Sequence, residues 1–152
     1  MKTLDDWLEA YAVSHQNKTN KLIHYFCVPA IYFSIVGLLM SIPAGVLSKA
    51  NINEPILVNW AVVVLIPVFI FYVRLSLKVA ILILFFSAIC VFANYQIAIM
   101  ANLWVVSIVI FAIAWVFQFY GHHLEGKKPS FLKDIQFLLI GPAWILNALF
   151  KK

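Results

Sequence analysis

Four long apolar runs, nearly free of charge, constrain this chain more than any other feature. They cover approximately residues 23–47, 56–72, 79–100 and 103–120. A helix needs roughly 17–25 such residues to cross a hydrocarbon core of about 30 Å, and in lipid it must satisfy its own backbone hydrogen bonds. The expected fold is therefore an all-α integral membrane protein of about four transmembrane helices, with residues 1–152 forming one membrane domain. Composition agrees, because only 11% of the residues are charged, against roughly a quarter in a soluble domain.

The joints between the runs are SKANINEP at 48–55, RLSLK at 74–78 and a short turn near Asn102. Pro29, Pro43 and Pro67 fall within the expected spans, where a proline kinks a helix without having to end it. Cys27 and Cys90 lie in separate apolar runs and read as packing residues, since two isolated thiols make neither a disulfide framework nor a metal pair. The N-terminus carries three acids in its first nine residues and does not read as a signal peptide.

Two further segments read as interfacial. Thr3-x-x-Asp6 opens like a capping box, and Leu4, Trp7, Leu8, Tyr11 and His15 then fall on one stripe. An interfacial helix over 3–15 is expected, with Asp6 and Glu9 on its polar side. At the other end, the segment 131–150 contains a short apolar run interrupted by Gly141-Pro142 and followed by Lys151-Lys152. It is expected to be re-entrant or interfacial.

The net charge of +5 is no nucleic-acid signal, because the basic residues sit in small clusters between apolar runs. With four crossings, Lys2, Lys18, Lys21, Arg74, Lys78, Lys127, Lys128, Lys133, Lys151 and Lys152 share one side, and Lys49 alone lies on the other. That asymmetry marks the cytoplasmic face. The termini and all four histidines then fall on that side.

The histidines are His15, His24, His122 and His123, and polar neighbours accompany them at helical spacing. Asn20 and His24 are four apart, as are Gln118 and His122, so each pair shares a helix face. Adjacent His122 and His123 point about 100° apart, so only one of them faces a given interior. His15 and His24 converge only if the chain bends between them, and QNKTN at 16–20 is turn-prone. Two explanations stand on spacing alone. These groups hydrogen-bond interfacial water and lipid head groups, or they form a site of the kind that polar clusters at membrane depth commonly mark. Neutral imidazole suits first-row transition metals such as iron and zinc.

Two motifs carry a resemblance. The first is Y-x3-H-x4-N-x3-H, formed by Tyr11, His15, Asn20 and His24. The second is Q-x2-G-H-x2-E-x3-P, formed by Gln118, Gly121, His122, Glu125 and Pro129. Together they resemble a family of small multi-span membrane proteins whose fungal member is a 2-hydroxy fatty acid dioxygenase. The resemblance covers nearly the whole chain and implies an Fe(II)-dependent α-oxidation with O2 as co-substrate. A long-chain 2-hydroxy fatty acid would lose its carboxyl carbon as CO2 and become an acid one carbon shorter.

By motif position, the resemblance implies His15, His24 and His122 as iron ligands, with His123 left as a neighbour. It implies Glu125 as a further catalytic residue, either a ligand or, like Asn20, Gln118 and Tyr11, a group that orients imidazoles or holds substrate. Lys127 or Lys128 is a candidate for attracting the fatty carboxylate, against the simpler role of both as orienting charges. The expected partners are the fatty acid and the lipid bilayer, in a bacterial inner membrane or an endoplasmic-reticulum membrane. The sequence carries no signal for oligomeric state. Two alternatives stand beside this reading: a zinc hydrolase acting on a lipid, and a non-enzymatic membrane scaffold.

Overall fold

A computed structural model describes residues 2–49, 54–128 and 136–150. Among them the chain is entirely helical, with six α-helices: α1 (Leu4–Ala12), α2 (Lys18–Met40), α3 (Trp60–Leu75), α4 (Leu77–Met100), α5 (Leu103–Glu125) and α6 (Phe137–Phe150). Short 3-10 turns at Gly45–Lys49 and Pro55–Leu57 lie between α2 and α3. Pro129, Lys133, Lys151, Lys152 and the first part of the expected C-terminal segment, 131–135, lie outside the described residues.

Three helices, α2, α4 and α5, are long and apolar enough to cross a membrane. The expected span at 56–72 corresponds to α3, an apolar helix that at 16 residues is shorter than the other three. Its rise is about 24 Å at 1.5 Å per residue.

The expected boundaries shift wherever a local device ends a helix. The first span stops at Met40, not near 47, which leaves Pro43 outside it. Proline supplies no backbone N–H and disfavours helical geometry in the residue before it, and Gly45 then takes a positive φ of 52°. The second span opens at Trp60, because Asn59 caps it by accepting from the Val62 N–H at 3.1 Å. The expected loop at 74–78 reduces to one extended residue, Ser76, which ends α3 and caps α4. The last long helix runs beyond 120 to Glu125 and ends at Gly126, whose φ of 67° is the left-handed cap that glycine favours.

The capping box of α1 is present. Thr3 Oγ1 accepts from the Asp6 N–H, and the Thr3 N–H donates to Asp6 Oδ2. The helix is shorter than expected, however, and His15 lies beyond its end. Helix α6 runs unbroken through Gly141 and Pro142, so the interruption expected there is absent. A proline in a helix interior removes one hydrogen bond and bends the axis, but a helix packed on its neighbours tolerates that loss.

The packing is built on α2, which lies along α5 and also meets α3, α4 and α6. Small residues permit the close approaches. Gly37 of α2 faces Asn94 of α4 and Ser107 of α5, and Gly121 of α5 faces Asn20 of α2. Asn94 donates to the Phe33 carbonyl at 3.1 Å, tying α4 to α2 at a depth where a polar group needs a partner. Helix α1 and the start of α6 share a small core of Trp7, Leu8, Tyr11, Phe137 and Ile140. Cys27 and Cys90 are both buried and free.

Candidate metal centre

The bend expected between His15 and His24 is where the site begins. Helix α1 ends at Ala12, and α2 starts at Lys18 with Asn17 as its N-cap. Asn17 Oδ1 accepts from the Thr19 and Asn20 N–H groups at 2.8 and 3.2 Å. The five residues between the helices turn the chain so that His15 and His24 meet. Their ring centroids are 4.3 Å apart.

His122 completes the group from α5, with its ring 5.2 Å from His15 and 4.8 Å from His24. The planes of all three rings cross steeply, at 69–84°. One ligand nitrogen from each ring falls within 4.8 Å of the other two, a grouping that can hold a metal ion. All three histidines are buried, whereas His123 is exposed, as the 100° offset between neighbours requires.

Hydrogen bonds set the proton positions. His15 Nδ1 lies 2.7 Å from the Tyr11 carbonyl, and His24 Nδ1 lies 2.9 Å from the Asn20 carbonyl. A carbonyl only accepts, so in each ring Nδ1 carries the proton and Nε2 keeps its lone pair. His15 Nε2 and His122 Nδ1 are buried without a hydrogen-bond partner among the described residues. Two orphaned imidazole nitrogens, from the turn before α2 and from α5, converging beside a third buried ring fit a cation better than they fit a packed core. Burial pushes the pKa of His15 down to about 4, opposed in part by the Tyr11 carbonyl, so the ring is in its neutral, ligand-competent form near pH 7.

The remaining candidates form the surroundings. Tyr11 stacks on His15, with centroids 4.1 Å apart and planes 12° from parallel. Gln118 is buried on α5 and reaches the His24 ring. The Glu125 carboxylate accepts from the backbone N–H groups of Gln16 and Asn17 at 2.7 and 2.8 Å, and from Asn20 Nδ2 at 3.0 Å. Asn20 Nδ2 also lies 3.2 Å from the Ser14 carbonyl. Lys127 donates to the Val13 carbonyl at 2.7 Å. Glu125 and Lys127 thus clasp the turn that carries His15 from opposite ends, and both are engaged with backbone.

One component was not read from the sequence. Helix α6 roofs the cluster. The Trp144 ring lies 5.5 Å from His15 and 5.7 Å from Tyr25, and Gly141 lets the helix approach Tyr11 and Val28. The available signal was the spacing of Phe137, Ile140, Gly141 and Trp144, which places them on one helical face once the segment is taken as unbroken.

Below the histidines lies a cavity of about 240 Å³. Tyr11, His15, His24, Gln118 and His122 form its polar head, and mostly apolar residues of α2, α3 and α6, with Trp115 of α5, form the rest.

The fold and the cluster together define an all-helical membrane protein with a buried three-imidazole site above an apolar cavity. The chain belongs to the Mpo1-like family, described as 2-hydroxy-palmitic acid dioxygenase Mpo1-like, whose match covers residues 1–152. The comparisons with curated proteins and with solved structures find no match.

Proposed function

We propose that this protein is an Fe(II)-dependent dioxygenase that converts long-chain 2-hydroxy fatty acids into fatty acids one carbon shorter, with release of CO2. The observation that carries the proposal is the three-histidine cluster at the polar head of an apolar cavity, in a chain of this family. The balance closes without an external reductant: R-CH(OH)-COOH and O2 give R-COOH, CO2 and water.

His15, His24 and His122 would hold the iron, and iron there supplies the redox chemistry that lets O2 react with a closed-shell acid. The chain does the rest. The Tyr11 and Asn20 carbonyls hold the protons of His15 and His24 on Nδ1, away from the metal-facing nitrogens. The three ligands are neutral, so no protein carboxylate among them opposes an anionic substrate. Gln118, beside His24, offers an amide to the substrate's hydroxyl or carboxylate. Trp144 and Tyr11 cover His15 and keep water from it. Glu125 acts by fixing the turn that carries His15. The site faces the cytoplasm in this reading, following the positive-inside bias of the loops.

The test is metal analysis of the purified protein, combined with turnover of carboxyl-labelled 2-hydroxypalmitate with and without O2. Iron in the protein, and labelled CO2 formed only with O2, are expected. Zinc together with O2-independent activity would overturn the proposal.

A further inference from the structure

The cavity below the histidines is a groove with a measurable length. Along α2 it is lined by His24, Val28, Ile31, Ile35, Val36 and Leu39. From His24 to Leu39 is fifteen residues of continuous helix, a rise of about 22 Å. That is about the extended length of a fatty chain of sixteen to eighteen carbons, and it is deeper than one leaflet of a core about 30 Å thick.

The groove is closed at one end and open along one side. Val36, Leu39 and Leu65 form the floor, and they are backed by a packed cluster in which Val36 meets Ala61, Cys90 and Val91. Ile35 and Val64 line the groove and are each 39% exposed, so its open side faces the lipid. The one hydroxyl on its deep wall is turned away, because Tyr32 Oη is engaged with Ser87 Oγ at 2.6 Å. Among the described residues, the surface beneath the histidines is therefore almost wholly apolar and suits hydrocarbon.

Resting on the oxidation reading above, we infer that the acyl chain lies extended along α2 with its methyl end on this floor. Ile35, Leu39 and Leu65 thereby set the longest substrate the site accepts. Leu65 has a second role. It also lines a cavity of about 450 Å³ bordered by α3 and α4, so it is a partition between two apolar spaces. Enlarging or blocking these positions shifts chain-length selection without touching the histidines.

The experiment uses the full chain in nanodiscs and measures displacement of a fluorescent polyene fatty acid by 2-hydroxy acids of ten to twenty-two carbons. Turnover of the same acids is measured in parallel. For the unaltered protein, affinity is expected to rise about threefold to fourfold per added methylene and to level off at sixteen to eighteen carbons. Ile35→Trp, which fills the groove about 16 Å below His24, is expected to move that break to about twelve carbons. Leu65→Ala is expected to move it to twenty or beyond. If either variant fails to fold, Ile35→Phe and Leu39→Ala test the same two directions.

A break at one common length in all folded variants would overturn the inference, as would affinity that climbs without a break. Turnover separates this outcome from failure of the oxidation reading. Breaks that move while no 2-hydroxy acid is consumed support the groove and sink the oxidation. Turnover with an unmoved break sinks the groove and leaves the oxidation standing.

Discussion

Tyr11 touches His15 twice: its ring lies flat on the imidazole at 4.1 Å, and its carbonyl sits 2.7 Å from Nδ1. The carbonyl contact belongs to the backbone and survives substitution, so the side chain's share can be measured separately. Tyr11→Phe keeps the stack and is expected to retain metal and activity close to the starting values. Tyr11→Ala leaves His15 free to tilt and is expected to lower metal affinity by about tenfold. Metal titration of the two variants checks this.

Removing one of the proposed ligands is expected to have a larger effect. His15→Ala, His24→Ala and His122→Ala are each expected to abolish iron retention and conversion of 2-hydroxypalmitate. His123→Ala, on the exposed side of α5, is expected to keep most of both. Elemental analysis and product chromatography decide, and full activity in any of the first three removes that residue from the ligand set.

Glu125 is a clasp between distant parts of the chain. Glu125→Gln keeps one acceptor oxygen for the Gln16 and Asn17 N–H groups, while Glu125→Ala keeps none. The alanine variant is expected to lose about 1 kcal/mol of stability, at the low end for a charge-assisted contact because the carboxylate is reached by solvent. The glutamine variant is expected to lose less. Thermal unfolding in detergent gives the comparison, and equal losses in the two variants would contradict the clasp.

Two glycines separate packing from chemistry. A Cβ at Gly121 would meet the Asn20 side chain, which is bonded to Glu125, whereas a Cβ at Gly37 would meet Asn94 and Ser107 far from the cluster. Both alanine substitutions are expected to destabilise by about 1–3 kcal/mol. Only Gly121→Ala is expected to reduce metal content in the protein that remains folded.

Removing the metal should act without unfolding the chain. A chelator is expected to abolish turnover while helicity by circular dichroism is unchanged, because apolar packing among the long helices holds the fold. Fe(II) is expected to restore activity, and Zn(II) is expected to bind without restoring it.

Much of this was legible in the sequence, for reasons particular elements make plain. The end of α4 and the start of α5 followed from the apolar runs and from Asn102 between them. The meeting of His15, His24 and His122 followed from their sharing one end of the bundle. Other features depend on packing or backbone contacts that a pattern does not encode. Apolar periodicity cannot separate a helix from the apolar turn that continues it, so the end of α2 at Met40 was overrun. A single residue, Ser76, serves as the whole joint between α3 and α4. His15 reaches the cluster from a turn, and the partners of Glu125 there are N–H groups that every non-proline residue carries. The roof formed by α6 was hidden because Gly141-Pro142 reads as a break when neighbouring helices are out of view.

The clasp between Gln16 and Glu125 joins residues 109 positions apart, and that separation has a consequence for biosynthesis. Two of the three imidazoles are made early, and the third arrives only when the final long helix has been translated and inserted. Until then the early pair is an incomplete and weak chelator. With the metal proposed above, capture would therefore be a late event that certifies correct assembly, and a misinserted chain would betray itself by emerging from the ribosome-bound stage empty.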